Sequence, residues 1–418
     1  MIRGTVEEVD VLVVGAGPAG SNAAYHLARR GYDVLVIEEH DRIGYPVQCA
    51  GLVSQRVLDL AGSDRFVRRP VHGASVFGPS LGSIGFTAAE PRAYVIDRAG
   101  LDIYLADRAA RAGARYSSST RFDRALGPTN GRAHVELSSF GGEHREIAAR
   151  LVLGADGVTS AVARAYGLRR PVEILPAFEA EFATSPGDPD RVEVYLGHDF
   201  APGLFGWWIP DGAGGARVGI AADADGTSAR VRFDRLLGHL ERRFGQRLSN
   251  PTAYLVSGIP IGHVPRTHAD GVLLVGDAAG QVKPLSGGGI FTGMRCAEIA
   301  AEVADGALRA NDLSARVLSE YDRRWWGELG EEFDRALHLR RLFVRLSDAD
   351  YDRLIDVLKE SDVLGTIVAF GDIDFPTHVA RRLLAQSPSL LRLLPKALGA
   401  WLAPGDRFAP ALDPVRRK

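Results

Sequence analysis

Asp10-Val-Leu-Val-Val14 runs into Gly15-Ala-Gly17-Pro-Ala-Gly20, and the reading of this stretch decides the fold. An apolar run of strand length meets three glycines. A helix-like segment follows from Ser21 to Arg30 and closes at Gly31. The next apolar run, Asp33-Val-Leu-Val-Ile37, ends in Glu38-Glu39. Strand, helix and strand within so short a span predict a βαβ unit. Each glycine has a physical reason. Gly15 permits the tight turn off the strand. Gly17 leaves the backbone open to a pyrophosphate. Gly20 lets the helix pack closely on the sheet. The helix start offers free N–H groups and a partial positive charge to phosphates. Glu38 stands eighteen residues after Gly20, where a carboxylate accepts hydrogen bonds from an adenosine ribose and disfavours a 2′-phosphate. The unit therefore reads as dinucleotide-binding.

The rest of the chain has to say which dinucleotide. Its 418 residues suffice for a large core in two or three subdomains. The hydrophobic fraction is 46% and the charged fraction 24%, ordinary values for a globular enzyme. A net charge of −2 gives no basic field, so nucleic acid is not an expected partner. Two cysteines, Cys49 and Cys296, make neither a disulfide framework nor a zinc cluster, so no metal is expected. A reducing cytoplasm is the expected location. The first residues carry acids and no long apolar run, and no stretch has the length of a spanning helix.

Beyond the second strand, Arg42-Ile-Gly44-Tyr-Pro46-Val-Gln-Cys49-Ala-Gly51 reads as a loop on the ligand side of the sheet. A cysteine framed by glycine and proline is either a small packed hydrophobe or a site residue. Leu101, Leu105 and Ala109 predict an amphipathic helix over 100–112, with Arg98 just before it. Leu151-Val-Leu-Gly154-Ala-Asp156-Gly157 is a strand ending in a turn. Residues 171–263 are strand-rich and predict a separate antiparallel sheet. Within it Phe205-Gly-Trp207-Trp208-Ile209-Pro210 suits the wall of an apolar site, and at least one tryptophan suits core packing. Gly271-Val-Leu-Leu-Val275 leads into Gly276-Asp277, then Lys283-Pro-Leu-Ser-Gly287-Gly288-Gly289 and a helix from about Ile290 to Leu308. Cys296, inside that helix, reads as packing. The last hundred residues read as helical, and 387–402 mixes leucines with Arg392, Lys396 and Trp401. That composition fits either a capping helix or a helix lying on a membrane surface.

Three motifs in this order, GAGPAG with Glu38, GADG at 154–157 and GD at 276–277, resemble FAD-dependent oxidoreductases of the aromatic-hydroxylase-like group. Within that group the chain most resembles the geranylgeranyl reductase family, from Val11 to roughly Leu308. The carrying matches are the Ile43–Leu52 loop, the 283–290 run and the 205–210 strand. The resemblance implies an α/β fold. A Rossmann-like FAD domain spans 1–170 and 264–310, an inserted antiparallel-sheet substrate domain spans 171–263, and a helical region spans 311–418. It implies FAD contacts from Gly15, Gly17, Ala19, Gly20, Glu38 and Glu39. Further FAD contacts are implied for Cys49, Ala50, Arg98, Asp156, Gly157, Asp277, Gly287, Gly288, Gly289 and Ile290. Asp277 suits a ribityl hydroxyl, and the glycine run suits an anionic ring edge.

The implied activity is saturation of C=C bonds in a geranylgeranyl or polyprenyl chain by hydride from reduced flavin. Cys49 is the implied catalytic residue, and Phe205, Trp207, Ile209 and Pro210 are the implied substrate contacts. Family members carry Tyr-x-Trp-x-Phe-Pro along that strand. Phe205 and Ile209 depart from the pattern, and the lost hydroxyl rules out a tyrosine proton donor at 205. Two other readings keep FAD, an aromatic monooxygenase and a halogenase with an aromatic substrate. The halogenase pattern needs a lysine ahead of the Trp strand, and the first lysine here is Lys283. No second GxGxxG is present, so the expected electron donor is transiently bound NAD(P)H or a ferredoxin. Peripheral membrane contact through 387–402 is a further expectation.

Overall fold

A computed structural model describes residues 6–359 and 361–386. The opening stretch forms the centre of an eight-stranded sheet. Glu7–Val14 lies between Val34–Ile37 and His144–Gly154, parallel to both. Val272–Leu274 extends the parallel set on one side and Arg115–Ser117 on the other. Val11, Leu12 and Val13 are fully buried, because helices cover one face and a hairpin the other. A strand buried on both faces reads as an unbroken apolar run, which is why alternation is missing here. The covering helices are Pro18–Ala28, Arg98–Arg111 and Ile290–Ala310. Asn22 Nδ2 donates to Met294 O at 2.8 Å and ties the first of these to the last. Cys296 is fully buried in this layer, as a packing residue should be.

The helix expected over 100–112 begins earlier, at Arg98. Asp97 caps it, its Oδ1 accepting from Gly100 N at 3.0 Å. Arg98 is thus a first-turn residue with a fixed direction.

The second sheet has seven strands, and its membership differs from the expected 171–263. Ala253–Ile261, Glu173–Phe182, Ala216–Ala221, Phe205–Pro210 and Arg191–Tyr195 lie in that order. Gly73–Phe77 then pairs in parallel with Arg191–Tyr195, and Ser83–Thr87 closes the edge. Two strands from the first segment therefore belong to this sheet, and the boundaries 171–263 do not enclose it. A parallel pairing across more than a hundred residues leaves no local trace in sequence.

Period-two alternation gives this sheet two different faces. Phe178, Ala180, Phe182, Trp208, Val218 and Ile220 pack under the helix Ala229–Phe244, against Phe233, Leu236 and Leu240. Ala177, Glu179, Trp207, Ile209 and Ala221 occupy the opposite face. Ala315–Trp325, Glu331–Phe343, Asp348–Leu358, Ser361–Phe370 and Pro376–Gln386 form the C-terminal helices. Buried Arg340 ties them to the second sheet through Glu173 at 2.8 Å. None of the helices among the described residues is long and apolar enough to cross a membrane. Residues 387–402, expected to touch a membrane surface, lie outside the described residues.

Candidate active site

Two cavities meet at Gln48. The first, about 530 Å³, opens at the C-terminal ends of the parallel strands. The glycine turn Gly15–Gly17 forms one wall, with Glu38 and Glu39, Arg98 and Asp102, and Asp156 and Gly157 around it. Gly15 has φ +100, and a Cβ there would lie 2.4 Å from Ala155 O. A Cβ on Gly17 would meet nothing within 4 Å, so this glycine faces open space. Gly17 is the N-cap of Pro18–Ala28 and supplies no side-chain cap. The first-turn N–H groups are left for an outside acceptor, as a pyrophosphate site requires. Glu38 Oε2 accepts from Ala16 N at 2.9 Å, which holds the carboxylate at the rim, and Glu39 is exposed beside it.

Several expected contact residues sit elsewhere. Ala19 and Gly20 do not line this cavity. Ala19 Cβ packs towards Gly276 and Gly293, and a Cβ on Gly20 would lie 2.0 Å from Gly15 O. Gly20 therefore serves helix-on-strand packing. Asp156 lines the cavity, but its oxygens accept from Ser160 Oγ at 2.6 Å and Val162 N at 3.0 Å. It braces the turn around Gly157, whose φ is +72.

Asp277 stands against Gly289, the last glycine of the run. A Cβ on Gly289 would stand 2.9 Å from Asp277 Oδ1, so the absent side chain lets the Ile290 helix start beside this carboxyl. Burial pushes the Asp277 carboxyl up to about 6, against the pull of Arg98. Arg98 is half-buried, ion-paired to Asp102 and in contact with Cys49. It thereby couples the first cavity to the cysteine loop.

The second cavity, about 500 Å³, is walled mostly by apolar side chains. That size falls within the roughly 300–1,000 Å³ of small-molecule sites. Cys49, Ala50, Gly287 and Gly288 are among the residues that line it. Phe205, Trp207 and Ile209 line the sheet wall. Pro210 corrects an expectation. Alternation turns it to the same face as Gly206 and Trp208, away from the cavity. Trp208 is the tryptophan of the core, and Trp207 is the one at the site.

Sequence reading missed four functional features of this cavity. Glu179 lies in the row Glu179–Gly219–Trp207 across three strands. A Cβ on Gly219 would be 2.4 Å from Trp207 Cζ2, so the indole lies flat over the glycine and donates to Glu179 Oε2 at 2.7 Å. Arg217, in the next row, is buried. Its Nη1 donates to Ala50 O at 2.8 Å and to Ile96 O at 3.1 Å. It fastens the cysteine loop to the sheet. Lys283 is buried and donates to Asp374 Oδ1 at 2.8 Å and Ile373 O at 3.0 Å. The turn 371–376 closes the cavity from the C-terminal side. Charges interrupting apolar alternation, as in Phe178-Glu179-Ala180-Glu181-Phe182, were the available signal for the first two.

The Lys283–Asp374 pair yields a prediction. Lys283→Met leaves a buried carboxylate without its main cation, although Arg56 Nη1 still reaches Asp374 Oδ2 at 3.2 Å. We expect a loss of about 3 kcal/mol in urea unfolding, the low end for breaking a buried pair. Asp374→Asn in the Lys283→Met background should recover most of it.

The comparisons agree with this geometry. The profile of an FAD binding domain matches residues 8–302. A digeranylgeranylglycerophospholipid reductase of Methanothermobacter thermautotrophicus is 36% identical over 92% of this chain and 98% of its own length. Its counterpart in Methanocaldococcus jannaschii is also 36% identical, over 92% of this chain and 96% of its own. The chain belongs to the geranylgeranyl reductase family of FAD-dependent oxidoreductases. The crystal structure of a geranylgeranyl bacteriochlorophyll reductase-like protein from Thermoplasma acidophilum superposes with a TM-score of 0.83 at 27% identity, covering 94% of this reductase and all of that chain. FAD is thus the cofactor, and the uncapped helix start, the open face of Gly17 and the rim carboxylate Glu38 fit it.

Proposed function

We propose that this flavoprotein saturates the C=C bonds of a geranylgeranyl chain carried on a lipid, as the names of its relatives say of them. The observation that carries the reading is the apolar cavity joined at Gln48 to the cofactor cavity. An isoprenoid has no polar group to be recognised along its chain. Its binding energy comes from apolar area removed from water, at roughly 25 cal/mol per Å². Trp207, Ile209, Val71, Leu255 and Ile259 offer such a surface.

Bound and reduced, FAD supplies the hydride. Gly15, Gly17 and Glu38 hold its adenosine end, and Asp277 with Gly287–Gly289 and Ile290 its flavin end. Arg98, Asp156 and Gly157 shape the space between. Phe205, Trp207 and Ile209 align the chain and exclude water. Cys49 and Ala50 form the ring-side wall of the cavity, where Cys49 shapes the reacting face or relays a proton. NAD(P)H or a ferredoxin supplies the electrons, and the enzyme works in the cytoplasm with peripheral membrane contact.

Turnover with a geranylgeranyl lipid under exclusion of oxygen tests the reading. Product with two added hydrogens for each double bond is expected. Product formed only with oxygen or halide, on an aromatic substrate, would favour the monooxygenase or halogenase instead. Cys49→Ala is expected to retain FAD and to lose about ten- to a hundredfold in turnover, the scale of a misplaced reacting face. Full turnover in that variant would remove Cys49 from the site.

A further inference from the structure

A hydride alone does not saturate an isolated alkene. The second carbon needs a proton, and a cavity walled mostly by apolar side chains offers few groups to give one. The charged groups of the cavity walls are few. Lys283 is committed to Asp374 and Ile373 O, and Asp372 to Arg56. Arg92 Nη2 donates to Val368 O, and Glu193 is paired with Arg243 on the far side of the sheet. Glu179 differs from all of these. It lines the cavity, is 4% exposed, and among the described residues has no cation in hydrogen-bond contact.

Its two oxygens are also unequal. Oε2 accepts the Trp207 N–H at 2.7 Å, while Oε1 is buried with no hydrogen-bond partner among the described residues. The indole donor therefore fixes Oε2 as an acceptor and leaves Oε1 to carry the proton. An ionised carboxylate with one bare oxygen in an apolar wall would be costly, whereas a neutral acid is tolerated there.

We propose that Glu179 is the acid that protonates one alkene carbon while hydride enters at the other. The assignment rests on the prenyl-reductase reading. The π bond of the alkene breaks. One C–H bond forms with the hydride of the reduced flavin, which is thereby oxidised. The other forms with the Glu179 proton, leaving a carboxylate that takes a proton back from solvent. Trp207 then has two tasks, to line the chain and to orient the acid.

The electrostatics agree with the geometry. Burial pushes the Glu179 carboxyl up to about 7, opposed by the Trp207 hydrogen bond and the charge of Arg217 and aided by Glu181. Directly across the neighbouring strands stand Gly219 and Leu255, with Trp207 beyond Gly219; the charged groups facing it are Arg217, one row along on the strand of Gly219, and Glu181 on its own strand. The acid form is thus present below about pH 7 and lost above it.

The test is Glu179→Gln in the FAD-loaded full chain. The amide keeps the acceptor for Trp207 but is no acid. Three results are expected together. FAD and a fully saturated prenyl lipid bind as in the wild type. Anaerobic reoxidation by a geranylgeranyl lipid slows by about a hundredfold or more, and its decline above neutral pH disappears. In an infrared pH titration without substrate, a protonated-carboxyl band of the wild type that titrates near neutrality is missing.

Wild-type rate and pH profile in Glu179→Gln would overturn the assignment and leave the reductase standing. A wild type that no prenyl lipid reoxidises would overturn the reductase reading and the assignment with it. If Glu179→Gln fails to hold FAD, Glu179→Asp decides. A profile displaced along the pH axis supports the acid, and an unchanged profile overturns it.

Discussion

Gly15→Ala is expected to purify without FAD and to unfold at a clearly lower urea concentration than the wild type. Gly15 has φ +100, a conformation that costs a side-chain-bearing residue about 1–3 kcal/mol. The added Cβ would also lie 2.4 Å from Ala155 O and 2.8 Å from Ala155 C, both backbone atoms. Neither can swing aside, because Ala155 N donates to Val14 O at 2.8 Å and Gly15 N to Ile37 O at 2.9 Å. The turn must therefore move as a unit, and it carries the Gly17 N-cap with it. Loss of the visible flavin band and a lower unfolding midpoint would be seen together. A yellow Gly15→Ala protein with an unchanged midpoint would contradict this account of the turn.

Arg217→Ala is expected to cost about 2–4 kcal/mol, chiefly from the carbonyls it leaves without their donor. The guanidinium is 4% exposed and reaches three groups, Ala50 O, Ile96 O and the Glu181 carboxylate at 3.4 Å. Its loss strands the buried Ile96 carbonyl and the half-buried Ala50 carbonyl, at about 1–3 kcal/mol for a buried acceptor. It also frees the loop that carries Cys49, so the absorbance of bound flavin should shift and turnover should fall. Arg217→Lys should recover little, because an ammonium cannot serve three acceptors set apart in a planar fork. A full recovery by lysine would show that charge alone matters at this position.

Legibility in the sequence followed distance along the chain. The glycine turn, its strand and its acid are contiguous, and their geometry is set by neighbours in sequence. Asp277 and Gly289 were legible for the same reason. The Phe205–Pro210 strand was legible as a wall, and its alternation could have separated Trp207 from Trp208 and turned Pro210 away. The Ala229–Phe244 helix lay in a stretch read as strands. Yet Phe233, Leu236 and Leu240 carry a helical period between Ser228, which caps it, and Gly245. What stayed hidden depends on strand register and long-range closure. Glu179, Gly219 and Trp207 form one row only once three strands are aligned. Lys283 meets Asp374 across ninety-one residues. The two strands of 73–87 join the second sheet only by a pairing that no local pattern announces.

In the proposed function the cavity beside the cofactor presents a prenyl double bond to reduced flavin. Anaerobic stopped-flow tests it most directly. The enzyme is reduced with dithionite, mixed with a geranylgeranyl lipid, and followed by flavin absorbance, with the fully saturated lipid as control. Return of the oxidised flavin band with the unsaturated lipid alone, and a product carrying the added hydrogens, is the predicted result. A flavin that stays reduced with both lipids until oxygen is admitted would contradict the claim.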